Sequence, residues 1–510
     1  MVGAVQEKDT ILKEIRTAVR HMAVYGLGGI LVKALGFFML PFYTHYLSPA
    51  DYGILEILEL SISVFGLVLN MGLTPAFLRC YATAPDDAEK RRVVSTGCLF
   101  GFGTGVVFFL AGAGFVPAAT RLLFGPSVPA TYLLLSFASL ILGYMANLPR
   151  TYLRALEASG TYTAVDTIYV LLLLALNVFF IAGLKLGVAG MLWSSLIAAG
   201  LQFAVLFPWA LSRAGIGFQW PHLKKMLGLG LPLVFANLSL FVLNFSDRFF
   251  LQHLQSLDAV GVYAVGYKFG YMLNYLVVQP FFVMWQSRMF AIHAQPEHPK
   301  IFRQMFSMYA MGMIYVGLAM ALFSAEVVGV MVEPKFLASR DVIPVVALAY
   351  VFYGLSYYAQ LGMFLTDKTR NIGLIGIAAA AVNLALNYSL IVRYGMMGAA
   401  WATVLSFAFM AGVNYVFSQR ALRMPLGLGR VGIGVVFAVG LYVLSQWLMP
   451  QRGGAAILSK LLLLTAFPVV AWKSGMLAPS AAATVTSAGA AAADAIGRTY
   501  RGWSRRAVNQ

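Results

Sequence analysis

Long apolar segments, each about as long as a membrane-spanning helix, occupy most of this sequence. A helix needs about 20 mostly apolar residues to cross the hydrocarbon core of a bilayer. By this criterion the sequence predicts about fourteen spans. Only 11% of the residues are charged, whereas soluble proteins have about 25%. We therefore predict an all-α, multi-pass membrane protein.

The predicted spans fall into two groups of six and a final pair. In residue numbers they are 22–46, 54–77, 93–116, 130–149, 162–184, 189–211, 227–252, 260–287, 304–331, 342–365, 371–392, 397–418, 431–449 and 455–476.

The distribution of Lys and Arg residues supports this count. If the N-terminus is cytoplasmic, roughly three quarters of the 36 Lys and Arg residues fall in the tails and the cytoplasmic loops. The same bias explains the net charge of +17 without nucleic acid as a partner. We therefore predict that both termini are cytoplasmic.

A glycine motif recurs in the two groups of six spans. GVAGMLW begins at Gly187 and GMMGAAW begins at Gly395, which is a shift of about 208 residues. At the same shift, a His follows His45, a Ser follows Ser48 and a Gly follows Gly53. The tetrapeptide LALN recurs at a shift of 210. This pattern predicts two lobes related by a parallel internal repeat, because each lobe has an even number of spans.

The repeat divides the chain into six parts. They are a cytoplasmic segment at 1–20, an N-lobe at 21–212, a cytoplasmic linker at 213–224, a C-lobe at 225–420, two added helices at 430–477 and a low-complexity basic tail at 478–510.

Two longer motifs resemble a known family. LPFYTHYLSPADYGILEILELS begins at Leu40, and NFSDRFFLQHLQSLDAVGVYAVGYK begins at Asn244. Both resemble signatures of Wzx-type polysaccharide flippases of the MOP superfamily, to which the lipid II flippase MurJ and the MATE exporters also belong. In many of these relatives an Arg follows the Thr of the first motif, where this chain has His45. The resemblance covers most of residues 20–420.

The resemblance implies a transporter of two six-helix lobes around a central cavity. Such a protein would use alternating access to flip an undecaprenyl-pyrophosphate-linked oligosaccharide across the bacterial inner membrane, towards its outer face. A lipid II flippase and a MATE-like, cation-coupled exporter of small organic molecules remain alternatives. A membrane-bound glycosyltransferase or polymerase is less consistent with this sequence, because its catalytic carboxylates would need a larger loop than the predicted spans leave. We therefore predict no enzymatic activity.

Partners and cofactors follow from the same interpretation. The expected partners are the lipid-linked oligosaccharide, membrane lipids and other polysaccharide-assembly membrane proteins. The sequence has no nucleotide-binding or metal-binding motif, so no cofactor and no metal site are predicted. The coupling ion, H⁺ or Na⁺, stays open.

Charged residues inside the predicted spans are the first candidate site residues. Lys33, Glu56, Glu59 and Lys268 each lie within a span, where an ionised side chain needs a cavity or a partner. In one interpretation, Lys33 pairs with Glu56 or Glu59 and only joins two helices. In the other, Lys33 and Lys268 bind the pyrophosphate, and the glutamates form a coupling or charge network.

Aromatic and loop residues complete the candidate set. Four tyrosines spaced four residues apart predict a stripe on one helix face, which would bind sugar or pack against another helix. These substrate-binding candidates are Tyr263, Tyr267, Tyr271 and Tyr275. The outer-gate candidates, which could also simply pair with each other, are Asp247 and Arg248. The inner-gate candidates, which could also be solvated loop charges, are Arg150, Arg154, Asp367 and Arg370.

Overall fold

The structure, a computed structural model, describes residues 35–448 and 454–474. Within these ranges the chain consists of α-helices and short 3-10 and π turns, without a β-strand. Ten helical segments in the same ranges are long and apolar enough to cross a membrane. The prediction of an all-α, multi-pass membrane protein is therefore confirmed.

We number the described helices in chain order. Helices α1 to α9 are Leu40–Tyr46, Pro49–Asn70, Leu73–Ala82, Asp87–Ala113, Val116–Phe124, Ala130–Ala155, Ser159–Val178, Gly187–Ala214 and Trp220–Leu254. Helices α10 to α18 are Leu257–Leu273, Gln279–His293, His298–Leu322, Ser324–Met331, Val342–Ala359, Leu361–Leu365, Thr369–Ala421, Leu428–Leu448 and Gly454–Lys473.

The number of spans can be compared with the prediction only in part. Helix α16 has 53 residues, but Gly395 has the non-helical angles φ 54° and ψ −132° and divides it into two helices. The division lies between the predicted spans 371–392 and 397–418. The predicted spans 227–252 and 260–287 are not among the ten apolar segments. Most of the predicted span 22–46 lies outside the described residues, so the count of about fourteen stays a prediction.

The described chain groups into two compact units. The first unit contains the residues up to Val262 together with Met331–Phe336, and the second contains Tyr263–Val330 and the residues from Leu337 onward. These units group residues by contact, whereas the predicted lobes group them by sequence repeat. The lobe boundaries at 213–224 therefore stay a prediction.

In the first unit, α3, α4, α6, α8 and α9 meet in an apolar core. This core includes Phe77 and the free cysteines Cys80 and Cys98, together with Leu223 and Met226 from the beginning of α9. Burial of these side chains ties the beginning of α9 to the helices that precede the predicted linker. The sequence repeat places most of α9 in the predicted C-lobe, and that boundary stays a prediction.

In the second unit, α12 and α14 pack together, and α14 packs along α16. Helix α17 packs on α12, and α18 packs on both α12 and α17. The ring of Phe467 on α18 lies 6.0 Å from Phe437 and 6.2 Å from Tyr315. The two helices predicted to lie outside the repeat are thus attached to this unit by apolar packing.

The same helix cap begins α2 and α10. The Ser48 hydroxyl accepts a hydrogen bond from the Asp51 amide at 3.1 Å, and the Ser256 hydroxyl accepts one from the Ala259 amide at 3.1 Å. A serine in this position satisfies an amide that has no partner in the first turn of a helix. Both caps occur at the shift of about 208 that the sequence predicts.

Two left-handed turns also recur at nearly the same shift. Glu157 (φ 57°) and Asp367 (φ 55°) each follow a helix, and Gly187 (φ 53°) and Gly395 (φ 54°) begin the two glycine motifs. The Ala158 amide, which follows Glu157, donates to the Leu153 carbonyl at 3.0 Å. The Lys368 amide, which follows Asp367, donates to the Met363 carbonyl at 2.9 Å. These parallels support the repeat, which stays a prediction.

Candidate substrate-handling site

A buried cluster of charges joins α2 and α9 in the first unit. Arg248 is 1% exposed, and its Nη1 donates to Asp247 Oδ1 at 2.6 Å and to the Asn244 carbonyl at 2.8 Å. Arg248 Nε lies 3.7 Å from Glu56 Oε1. Asp247 is 2% and Glu56 8% exposed. The structure therefore brings together a residue predicted for coupling and two residues predicted for an outer gate.

This arrangement bears on the predicted partner of Glu56. Lys33 lies outside the described residues, so its pairing with either glutamate stays a prediction. Arg248, on a helix much later in the sequence, supplies a cation for Glu56. The two carboxylates compensate the charge of the buried guanidinium, which would be costly inside a span without them. Glu56, Asp247 and Arg248 are named here the Arg248 cluster.

Glu59 and Lys268 have different surroundings from the Arg248 cluster. Glu59 is exposed on α2, although Ile57, Leu58 and Leu60 beside it are buried. Lys268 is exposed on α10, and every other residue from Val260 to Gly270 is buried. Each of these ionised side chains therefore interrupts a run of buried residues along its helix.

The tyrosine stripe, which begins on α10 and ends in the π turn Asn274–Val278, divides into a buried half and an exposed half. Tyr263 is 0% and Tyr267 2% exposed, and the Tyr267 hydroxyl lies 2.8 Å from that of Tyr350 on α14. Tyr271 is half-buried, and Tyr275 is 39% exposed. In this conformation the first two rings pack within the protein, so only the last two can contact a ligand.

Lys268, Tyr271 and Tyr275 share one side of the chain as it leaves α10. They are three and then four residues apart, which places neighbours one above the other on a helix. The Tyr271 and Tyr275 ring centroids are 4.8 Å apart in an edge-to-face arrangement. We call these three residues the Lys268 face. It combines one ammonium group with two phenol rings.

Arg150 is held at the end of α6 by residues of α7. Its Nε lies 3.0 Å from Asp166 Oδ1, and its Nη2 donates to the Tyr162 hydroxyl at 2.7 Å. Arg154 lies over the same Tyr162 ring, 5.9 Å from its centroid. These contacts form within one unit and bridge two consecutive helices across the Glu157 turn. Their role as an inner gate stays a prediction.

The matching residues of the second unit surround the turn before α16. Asp367 has a left-handed conformation, and the Lys368 amide donates to the Met363 carbonyl at 2.9 Å. Asp367, Lys368 and Arg370 are all exposed. The backbone hydrogen bond defines the shape of this turn and leaves the charged groups on the surface.

Two polar side-chain pairs involve residues that were not among the predicted site residues. Lys460 on α18 is 1% exposed, and its Nζ donates to Glu326 Oε1 on α13 at 2.7 Å. His45 Nδ1 lies 2.7 Å from Glu333 Oε1, and Lys335 Nζ donates to the His45 carbonyl at 3.3 Å. A lysine inside an apolar span is itself a signal of a buried partner. The His45 contact has no such signal, because its partner is 288 residues away in the sequence.

Buried asparagines were also missed. Asn177 Nδ2 donates to the Tyr43 hydroxyl at 2.8 Å, and Asn387 Nδ2 donates to Asn383 Oδ1 at 2.9 Å. Asn177 and Asn387 end the two copies of LALN, and they are 2% and 0% exposed. The recurring tetrapeptide therefore marked two positions where a polar side chain is enclosed between helices.

A cavity of about 220 Å³ lies among α12, α14, α16 and α17 in the second unit. Its walls are aliphatic side chains, small residues and the rings of Trp401 and Tyr442. Such a lining has no ionised group with which to hold an anionic headgroup. Among the residues that the structure describes, no group of three His, Cys, Asp or Glu side chains is placed to hold a metal ion.

Solved structures with the same fold include a lipid flippase and multidrug transporters. The lipid II flippase MurJ, in an inward closed conformation, matches with a TM-score of 0.71 over 89% of this chain and 99% of its own, at 13% identity. An inward-facing multidrug resistance MATE family transporter of the MOP superfamily matches with a TM-score of 0.62 over 76% and 93%, at 14% identity. A MOP superfamily transporter from Pyrococcus furiosus matches with a TM-score of 0.52 over 79% and 95%, at 14% identity.

Comparison by sequence identifies the family. No curated protein matches the chain. Residues 18–284, more than half of the chain, match the family described as "Polysaccharide biosynthesis protein". The matched range contains both motifs that resemble the polysaccharide flippases, as well as Glu56, Arg248 and Lys268. The chain therefore belongs to the polysaccharide biosynthesis protein family and has the fold of the MOP-superfamily flippases and transporters.

Proposed function

We propose that the protein flips an oligosaccharide linked to undecaprenyl pyrophosphate from the cytoplasmic to the outer face of the bacterial inner membrane. The observation that carries this proposal is the exposure of Lys268 within a stretch of α10, from Val260 to Gly270, whose other residues are all buried. A lysine in a membrane helix is stable beside water or an anion and unstable against lipid tails. Lys268 is therefore proposed to line the central cavity, without any catalytic step.

The Lys268 face has the chemistry that this substrate requires. A pyrophosphate carries negative charge that a compact ammonium can attract from several directions. Tyrosine has a flat apolar ring for a sugar face and a hydroxyl for the polar groups of a sugar. Tyr271 and Tyr275 lie on the same side as Lys268 and are accessible in this conformation. Tyr263 and Tyr267 would contact substrate only after α10 separates from Tyr350.

The alternatives differ in how well they fit a cationic site. An exporter of organic cations is disfavoured, because Lys268 would repel its substrates unless Glu59 dominated the site. Lipid II remains a second candidate, which the likeness in fold to MurJ favours. A pyrophosphate-binding Lys268 would not distinguish lipid II from an oligosaccharide carrier. The family description, which refers to polysaccharide biosynthesis, favours the oligosaccharide.

Other parts of the proposal concern gating and energy. When the cavity opens to the outer side, the contacts of the outer-gate residues would rearrange. When it opens to the cytoplasm, the contacts of the inner-gate residues would break. The outer-gate residues are Asp247 and Arg248, and the inner-gate residues are Arg150, Arg154, Asp367 and Arg370. An H⁺ or Na⁺ gradient could act through Glu59 and Glu56. Lys33, if it lies at the depth of Glu56, would add a second cation. Both termini are proposed to be cytoplasmic.

Substitution of Lys268 tests the proposed site. Lys268→Gln should keep membrane abundance and reduce glycan export about tenfold, because a charge-assisted contact contributes about 1.5 kcal/mol or more. Lys268→Arg should retain part of the export. Lys300→Gln is the matched control, since Lys300 is highly exposed outside the predicted spans. Normal export by Lys268→Gln at normal abundance would contradict the proposed role of Lys268 in substrate binding.

Purified protein in proteoliposomes distinguishes the candidate substrates. Undecaprenyl-pyrophosphate oligosaccharide, lipid II and a fluorescent organic cation are supplied separately, and transfer between leaflets is measured. The proposal expects flipping of the oligosaccharide carrier, with loss of that flipping in Lys268→Gln. Transport of the organic cation alone would instead support an exporter.

A further inference from the structure

The segment that joins α8 to α9 has an unusual pattern of exposure. Ile216 is 85%, Phe218 50% and Trp220 61% exposed, so three large apolar side chains alternate along one side of a short stretch. Exposed aromatic residues of this kind, grouped in a single segment, mark an interaction surface. We call Ile216, Phe218 and Trp220 the linker ridge.

The backbone between these side chains is fixed to α4. The Ser95 hydroxyl donates to the Gly217 carbonyl at 2.6 Å and lies 2.8 Å from the Gly217 amide. The Gln219 amide donates to the Thr96 hydroxyl at 3.0 Å. Ser95 and Thr96 are 1% and 0% exposed. The inward-facing backbone groups are thus satisfied by α4, which leaves alternate side chains directed outward.

Both ends of the segment are anchored as well. Gly215 ends α8 with φ 78° and ψ 178°, a conformation that essentially only glycine adopts. Beyond the segment, His222 Nε2 lies 3.0 Å from Glu89 Oε1, and Leu223 is buried in the core of the first unit. The ridge is therefore presented by a fixed backbone.

Position and charge indicate what covers the ridge. Helix α8 is one of the apolar segments long enough to cross a membrane, and it ends at Ala214. Ile216 follows within two residues, so the ridge lies where a span leaves the hydrocarbon core. Tryptophan and other amphipathic aromatic groups favour this depth. The exposed cations Arg213, Lys224 and Lys225 flank the ridge on both sides.

We propose that the linker ridge and its flanking cations bind the anionic phospholipid surface of the adjacent leaflet. The apolar side chains would enter the headgroup region while the three cations contact lipid phosphates, each contributing to attraction towards an anionic surface. This anchor would hold the first unit at a defined depth, beside the helix with which the second predicted lobe begins. It is independent of the transported substrate.

Spin labelling of the full chain in vesicles tests the depth of the ridge. The two native cysteines, both buried, are replaced by alanine, and a nitroxide is attached to Phe218→Cys. Ala88→Cys is the control, because Ala88 is exposed at the beginning of α4. The label at 218 should be accessible to oxygen and shielded from a water-soluble nickel chelate, and the label at 88 should show the reverse. Equal nickel accessibility at both positions would overturn the proposal.

Lipid composition tests the electrostatic part. Arg213→Gln, Lys224→Gln and Lys225→Gln are combined with the label at 218 in phosphatidylcholine vesicles with and without phosphatidylglycerol. With phosphatidylglycerol, the ratio of inserted to aqueous label should fall about fivefold for each charge removed. Without it, the ratio should not change. An unchanged ratio in both compositions would overturn the role of anionic lipid.

A second measurement retains the native cysteines. A photoreactive benzophenone amino acid at position 218 is activated in membranes, and the adduct is identified by mass spectrometry. The proposal expects phospholipid adducts enriched in phosphatidylglycerol. A protein adduct as the main product would show that another protein covers the ridge and would overturn the proposal.

Discussion

Gly53 and Gly261 lie against each other's helices through a reciprocal pair of backbone contacts. A Cβ on Gly53 would overlap the Leu257 carbonyl, and a Cβ on Gly261 would overlap the Pro49 carbonyl. Each glycine, and each carbonyl that it contacts, is related to its counterpart by the shift of about 208. Both contacts lie within the first unit. The close approach of α2 to the beginning of α10 therefore requires a glycine at both positions.

Adding a methyl group at either glycine should force these helices apart. Gly53→Ala and Gly261→Ala are each expected to destabilise the protein by about 1–3 kcal/mol, because backbone atoms cannot move aside as side chains can. The measurement is thermal unfolding of the purified protein in detergent. Gly143→Ala is the control, since nothing lies within 4 Å of its added Cβ. Equal stability of the Gly53 and Gly143 variants would contradict the close contact.

The Lys460–Glu326 pair should respond unequally to loss of each partner. Glu326→Gln leaves an almost fully buried ammonium without its carboxylate, which typically costs about 3–5 kcal/mol. Lys460→Met leaves Glu326, which is 25% exposed and can be hydrated, so this variant should be less destabilised. Lys460→Met combined with Glu326→Leu should be more stable than Glu326→Gln alone. Denaturation curves of the three variants are compared, and a reversed order would contradict this assignment.

Packing of Phe336, rather than the His45–Glu333 pair, should hold Met331–Phe336 on the first unit. His45 and Glu333 are 62% and 39% exposed, and such surface pairs contribute at most about 1 kcal/mol. Phe336 is fully buried with its ring 5.8 Å from Tyr52, so Phe336→Ala should cost about 3–5 kcal/mol. Glu333→Gln is the comparison. Limited proteolysis near Glu333 should increase only in Phe336→Ala.

The two halves of the tyrosine stripe should give different phenotypes. Tyr267→Phe removes a buried hydroxyl pair with Tyr350 and should lower stability by about 1 kcal/mol, with unchanged export per molecule. Tyr271→Phe should keep stability and reduce export, because its hydroxyl is proposed to contact sugar. Export normalised to membrane abundance is measured for both. Identical effects of the two substitutions would refute the division into packing and substrate-contacting rings.

The orientation in the membrane can be tested by cysteine accessibility. Single cysteines at Ala88 and Asn509 should be labelled only from the cytoplasm, and one at Gln451 only from outside, if both termini are cytoplasmic. An impermeant maleimide is applied to intact cells and then to inverted vesicles. Labelling of Ala88 in intact cells would contradict the arrangement of about fourteen spans.

The sequence by itself determined the class of fold, because apolar segments of bilayer length and a charge bias between loops are local properties of the chain. It also indicated the break at Gly395, which lies between the predicted spans 371–392 and 397–418, since a change of backbone direction at a glycine is a local property. Its motifs indicated the family, which the family match confirms, and its spacing predicted the repeat, which stays a prediction.

Only the tertiary structure decided which side chains meet. Glu56 contacts Arg248, Lys460 contacts Glu326, and Tyr267 packs on Tyr350, each across more than 80 residues of sequence. Periodicity showed that the four tyrosines share a helix face but could not show that a neighbouring helix covers half of it. Burial depends on that neighbour, and the helix that approaches is selected by packing of the whole chain.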